Sequence, residues 1–230
     1  PKALEIVSSR PYYQYTPVYT SDNFQADGNG EAVLKKQWEF NHVPDAKNWW
    51  LAQEGGLVLR NGKISTNVVH AANTLTQRMM WPGCAAEVTV DAAGLKDGDI
   101  AGLCALQGCY GLLGVTKELG IYYLVVMERA WENISRLDRS PDYMPGSVVE
   151  KIRLEDSKVR IRLNVNFEDM EDMAEFYYQN KKRWKRVGEP HKLVFRLDHF
   201  TGCRFGLFNF ATKEIGGEAI FTEFRYIYEN

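Results

Sequence analysis

Val159-Arg160-Ile161-Arg162-Leu163-Asn164-Val165-Asn166-Phe167 decides how this chain is built. Apolar groups hold every odd position and charged or amide groups every even one. That period of two places one set on the buried face of a β-strand and the other in solvent. Weaker runs of the same kind occur at residues 87–90, 100–106, 121–128, 175–178, 191–197, 204–210 and 219–228. Glycine-bearing turns separate them, at Glu54-Gly55-Gly56, Asn61-Gly62, Lys96-Asp97-Gly98-Asp99 and Ile215-Gly216-Gly217. Only residues 166–174 could pass for a helix, and that stretch is too short and acidic to form a layer. About a dozen strands without alternating helices predict an all-β fold, a two-sheet antiparallel β-sandwich of jelly-roll character.

At 230 residues, with 45% hydrophobic and 13% aromatic content, the chain can bury one large core without disulfides, metal or a partner. Residues 1–20 are rich in Pro and Tyr and show no sustained apolar period, so they read as a linker or extended arm. The sandwich is expected over residues 21–230, with compact structure starting after the turn cluster Gln25-Ala26-Asp27-Gly28-Asn29-Gly30. The 28 basic and 30 acidic residues mix along the chain and build no basic face, which argues against nucleic acid as a partner. The longest apolar windows, such as 121–127, fall far short of the roughly 20 residues that cross a bilayer, so no membrane partner is expected. Beginning at Pro1 without Met, charged n-region or apolar h-region, the chain reads as mature, trimmed or excised from something longer. Cys84, Cys104, Cys109 and Cys203 form no C-x-x-C pair. They are expected to be buried free thiols, which favours a reducing compartment.

Aromatic and amide side chains carry the strongest chemical signal. A sugar ring presents an apolar face of C–H groups that stacks on an indole, while its hydroxyls need planar polar partners. Trp49, Trp50 and Trp131, with Asn73, Gln77 and Arg78 nearby in sequence, are the candidates for such contacts. Trp49 and Trp50 must face opposite ways if extended, and Trp131 follows a strand in a polar stretch. Cleaving a glycosidic bond needs two carboxyls roughly 5 to 10 Å apart, one of them kept protonated by an apolar setting. No strand here carries acids at alternate positions. Glu168-Asp169 and Glu171-Asp172 are adjacent pairs that would point to opposite faces, and they read as a solvated hairpin connection. His42, His70, His191 and His199 lack a nucleophile elbow or a reactive-cysteine context. No catalytic residue and no cofactor are expected. Oxygen donors for calcium occur only at 97–99 and 168–172, and neither has the spacing of a recognised loop.

An ordered set of segments carries a resemblance. It comprises Ser21-Asp22-Asn23-Phe24, Gln37-Trp38-Glu39-Phe40-Asn41-His42-Val43-Pro44-Asp45, residues 73–78, residues 95–103, Tyr110-Gly111-Leu112-Leu113-Gly114-Val115, residues 199–209 and Gly216-Gly217. Together they resemble the C-terminal concanavalin-A-like domain of glycoside hydrolase family 43 β-xylosidases, a module also treated as a xylan-binding domain. The resemblance implies that the catalytic carboxylates sit on an N-terminal five-bladed β-propeller. It further implies that this sandwich packs on the propeller and lends an aromatic side chain to the active-site rim. The matching position is Phe200, in His199-Phe200-Thr201-Gly202, with His199 beside it; Arg78 is placed to pair with a carboxylate across the seam. The function so implied is that of a non-catalytic accessory domain of an enzyme acting on xylan or arabinoxylan. The alternative is a free-standing, lectin-like binder of xylan or xylo-oligosaccharide using Trp131 and Trp49 or Trp50. Residues 128–146 depart from the family's pattern.

Overall fold

The computed structural model describes residues 16–25, 33–130, 143–195 and 202–228. Among them fourteen strands occur in chain order: β1 (Glu39–Phe40), β2 (Trp49–Leu51), β3 (Leu57–Arg60), β4 (Leu75–Arg78), β5 (Gly83–Asp91), β6 (Asp99–Leu106), β7 (Gly111–Glu118), β8 (Ile121–Glu128), β9 (Ser147–Arg153), β10 (Lys158–Asn166), β11 (Met173–Asn180), β12 (Arg183–Lys192), β13 (Arg204–Ala211) and β14 (Glu218–Ile227). They form two seven-stranded antiparallel sheets. The first runs β1-β4-β13-β6-β7-β8-β9 and the second β12-β11-β10-β5-β14-β3-β2. This is the β-sandwich that the alternating pattern predicts.

The decisive stretch lies inside the second sheet, beside its central strand β5. Val159, Ile161, Leu163 and Val165 of β10 face the main core, joined there by Ala86, Val88 and Val90 of β5 and by Leu103, Leu113 and Phe205 of the first sheet. The even residues of β10 point outward, beside Glu87 and Thr89 of β5. The two sheets differ in their outer faces. On the first sheet that face is a second core, in which Phe208, Ile100, Leu112 and Val125 pack under Val68. Val68 belongs to a short 3-10 turn, Val68–His70, whose first N–H groups are capped by the Asn67 side chain. Tyr143 stacks on His70 with ring centroids 4.6 Å apart, and the Asn67 amide donates to the Met144 carbonyl at 3.0 Å. Opposite Phe208 across the strands sit Gly102 and then Gly114. A Cβ at Gly102 would collide with the Leu113 carbonyl oxygen, so only glycine permits these strands to meet there.

Three segments differ from the sequence reading. The run at 191–197 was expected as a strand; β12 instead occupies Arg183–Lys192, and residues 193–195 leave the sheet. β9 gave no alternation because six of its seven residues are exposed at the edge of the first sheet. Asn61, read as part of a surface turn, is 3% exposed, and its side-chain oxygen accepts from the N–H groups of Gly216 and Gly217 at 2.7 and 3.1 Å. The acidic connection between β10 and β11 is the expected hairpin link, with a 3-10 turn at Glu168–Met170. All four cysteines are buried, and none forms a disulfide among the described residues. At one corner the edges of the two sheets are tied, since Glu150 of β9 accepts the Gly188 N–H of β12 at 2.6 Å. His191 of β12 is 2% exposed and lies with Nδ1 2.8 Å from Glu128 Oε2 and Nε2 2.7 Å from the Cys109 carbonyl. The described end of the N-terminal arm lies on the sandwich, where Tyr19 stacks on Tyr226 at 4.7 Å.

Asp99, at the start of β6, is fully buried; one carboxylate oxygen accepts the Lys96 N–H at 2.7 Å and the other has no partner among the described residues. Burial pushes its carboxyl above the ordinary range, and the Lys96 N–H offsets part of that rise. Such a group holds its proton more tightly in the folded chain. Its contribution to stability therefore falls as pH climbs from the unfolded value of about 3.9 through the raised folded one. Asp99→Asn is expected to be more stable than the parent at pH 7 by about 1 kcal/mol. The advantage should shrink towards pH 4, which thermal melts at both pH values will read.

Candidate functional site

Where β4 and β10 end, the two sheets part and a cleft of about 390 Å³ opens. Arg78 and Met79 form one wall, Phe167 and Asp172 another, and Trp81, Phe195, Gly202 and Cys203 complete it. Each wall is positioned by backbone hydrogen bonds that leave side chains free. The Tyr228 hydroxyl donates to the Trp81 carbonyl at 2.8 Å, and the Phe167 N–H donates to the Pro82 carbonyl at 2.8 Å, fixing the turn that carries the cis Trp81–Pro82 bond. The Leu193 N–H donates to the Asp172 carbonyl at 2.7 Å and holds the segment that ends in Phe195. Phe167 and Phe195 meet with ring centroids 6.0 Å apart.

What this end presents is apolar. Trp81 is 68% exposed, Phe195 55% and the neighbouring Met170 82%. Amid them the exposed Arg78 guanidinium makes no ion pair or hydrogen bond among the described residues. Burial pushes the Cys203 thiol far above its ordinary range, so it is an inert part of the wall. Exposed Trp, Met and Phe around one unpaired Arg form the composition enriched at the centres of protein interfaces.

The candidates read from sequence separate into groups. Arg78 lines this cleft. Gln77 and Asn73 do not reach it, because both are buried and their amides are spent on backbone. Gln77 accepts the Thr20 N–H at 2.8 Å and donates to the Thr20 carbonyl at 2.9 Å, while Asn73 does the same with Asp45 at 2.8 and 3.1 Å. Trp49 and Trp50 face opposite ways on β2, as extension requires. Trp49 packs on Phe40 at 5.2 Å with its indole N–H buried, and Trp50 stands 37% exposed on an edge strand remote in the sheet order from β10. Trp131, His199 and Phe200 lie outside the described residues, although Phe195 and Gly202 on either side of residues 196–201 both line the cleft. Sequence reasoning missed Trp81, Phe167 and Phe195. For Trp81 the one local signal is the apolar run Met79-Met80-Trp81-Pro82, which continues past the end of a strand without its alternation; Phe167 and Phe195 have none.

Two acid placements among the described residues are unsuited to straddling a glycosidic bond. Glu87 and Glu223 share the outer face of the second sheet, but Arg160 lies between them, 3.0 Å from one carboxylate and 2.7 Å from the other, and fills the space a scissile linkage would need. Asp99 is sealed inside the opposite end of β6. No group of three or more His, Cys, Asp or Glu among the described residues is placed to hold a metal ion. At the turn considered for calcium, Asp97 accepts the Gly120 N–H at 3.1 Å and Asp99 that of Lys96.

Residues 21–227 match the family described as the Beta xylosidase C-terminal Concanavalin A-like domain. A bifunctional GH43-CE protein from Bacteroides eggerthii is similar, with 34% identity and a TM-score of 0.82 over 93% of this chain and 26% of its own. A GH43 glycoside hydrolase whose active site was engineered to give both endo-xylanase and exo-arabinofuranosidase activity shares 26% identity, with a TM-score of 0.80 over 94% of this chain and 42% of its own. A β-xylosidase from Formosa agariphila is 28% identical across 94% of this chain, and the chain spans 36% of that relative's length.

Proposed function

We propose, from the premise that this chain belongs to the family of β-xylosidase C-terminal concanavalin A-like domains, that it is the accessory domain of a larger family 43 enzyme acting on xylan or arabinoxylan. In this reading the sandwich packs through its Trp81 and Phe195 end on an N-terminal catalytic β-propeller and shapes that partner's pocket. The single observation that carries the reading is the exposed apolar end surrounding an Arg78 guanidinium that is unpaired among the described residues.

The physics of such a seam is simple. Apolar area removed from water contributes roughly 25 cal/mol per Å², and the aromatic rings offer the largest share of it. Arg78 can supply a forked pair of hydrogen bonds to a carboxylate opposite, which fixes orientation as well as affinity. Phe200 would add an apolar wall to the rim of the sugar pocket without a polar group, favouring the fit of short chains rather than bond breaking.

Two measurements test the reading together. The isolated chain is expected to leave an aryl β-xyloside intact; turnover lost in a Glu87→Gln or Glu171→Gln variant would overturn the accessory role. In an enzyme joining this chain to its catalytic domain, Phe200→Ala is expected to raise KM for xylobiose about tenfold, with less change in kcat. Unchanged kinetics would remove Phe200 from the rim.

A further inference from the structure

We propose that the outer face of the second sheet holds an oligosaccharide-binding cleft centred on Trp184 and Gln179, separate from the end that docks. The register puts its parts side by side: Trp184 of β12 opposite Gln179 of β11, Arg162 of β10 opposite Glu87 of β5, and Arg225 of β14 opposite Glu87 on the other side. A cleft of about 500 Å³ lies over them. The corresponding face of the first sheet is closed by its second core, so this is the sheet face left open to a ligand.

The floor is rigid. Glu87 is 4% exposed and takes Arg160 at 3.0 Å and Arg162 at 3.3 Å. Arg160 also bonds Glu223 at 2.7 Å, the Thr89 hydroxyl donates to Glu223 at 3.0 Å, and Arg162 Nε donates to the Asn164 side-chain oxygen at 2.6 Å. Arg162 lies 6.0 Å from the centroid of the Trp184 ring. Charged groups so interlocked lose little freedom when a ligand arrives.

Above that floor stand groups with unused capacity. The Gln179 amide, the Trp184 indole N–H and the Asn164 side-chain NH2 have no hydrogen-bond partner among the described residues. An indole edge, two amides and fixed guanidiniums interleaved with carboxylates offer donors and acceptors in alternation, which matches a chain of hydroxyls. Phosphate polyanions fit poorly, because Glu87 and Glu223 lie among the arginines. A protein partner fits poorly as well, because among the described residues Trp184 is the one aromatic ring lining the cleft and interface centres need several such anchors.

Length supports the same ligand. A second hollow of about 580 Å³ continues along β10 and β11, lined by Asn164, Asn166, Met173 and Glu175. From Arg160 to Asn166 the strand covers about 20 Å at its usual rise, enough for an extended chain of linked rings rather than a single sugar. That the chain is of the xylan class rests on the proposed function; the cleft does not.

Isothermal titration of the full chain with xylohexaose and with cellohexaose tests both parts, using Trp184→Ala, Gln179→Ala and, as a control at the docking end, Trp81→Ala. Xylohexaose binding that weakens at least tenfold in both cleft variants and stays unchanged in Trp81→Ala is the expected result. Should Trp184→Ala misfold by circular dichroism, Gln179→Ala still reads the site, since its side chain holds nothing in place. Binding that survives both cleft substitutions, or that neither hexaose shows, overturns the site. Cellohexaose bound at the cleft while xylohexaose is not would keep the site and overturn the xylan class.

Discussion

A Trp81→Asp, Phe195→Ala double variant is expected to lose its hold on the proposed catalytic partner. Both rings stand mostly in solvent in this chain, and what they support is held by backbone: the Trp81 carbonyl, not its indole, receives the Tyr228 hydroxyl. The sandwich should therefore fold and melt as before. If these rings are the anchors of the seam, truncating them and placing a carboxylate against an apolar partner removes about 4 kcal/mol, close to a thousandfold in Kd. Titrating separately produced domains reads the loss directly. A Kd within threefold of the parent would remove the Trp81 and Phe195 end as the proposed docking surface.

Phe208→Ala carries the largest effect expected on stability, about 3 to 5 kcal/mol. The ring is fully buried on the outer side of the first sheet, beside Gly102 and Gly114, where neither neighbour has a side chain that could move into the space. At about 2 to 4 °C per kcal/mol for a domain of this size, the melting point should drop by about 10 °C. Trp50→Ala, a larger truncation on an exposed edge, should change it by less than about 2 °C. Denaturant titration of both variants checks the contrast; equal losses would mean that the second core is not closed as described.

How much the sequence disclosed depended on how many faces each strand buries. β10 has one wet and one dry face, and its pattern named the fold. β9 is wet on both, so it left no trace, and β12 opens with Arg183-Trp184-Lys185-Arg186, whose three cations hide the strand's one apolar group there. Asn73 and Gln77 looked like sugar contacts because amides serve both purposes; only the positions of Asp45 and Thr20 reveal that theirs are spent. The docking end draws Arg78, Phe167, Phe195 and Gly202 from segments scattered over more than a hundred residues, and Glu87 meets Arg160 and Arg162 across a strand pair. Neither grouping has a local pattern to read. Arg78 was found because it lies in the segment 73–78, one of those that carry the family resemblance.

The tie from Glu150 to Gly188 reaches beyond the corner it closes. A sheet margin with idle amides invites a foreign strand to add itself, which is how folded domains begin to polymerise. Here one such amide is already occupied from across the sandwich, and Lys151 next door is paired with Glu118 at 2.6 Å and rests 4.4 Å over the Tyr123 ring. An incoming strand would have to break that arrangement and bury a lysine before gaining its first bond, so the rim discourages recruitment of another copy.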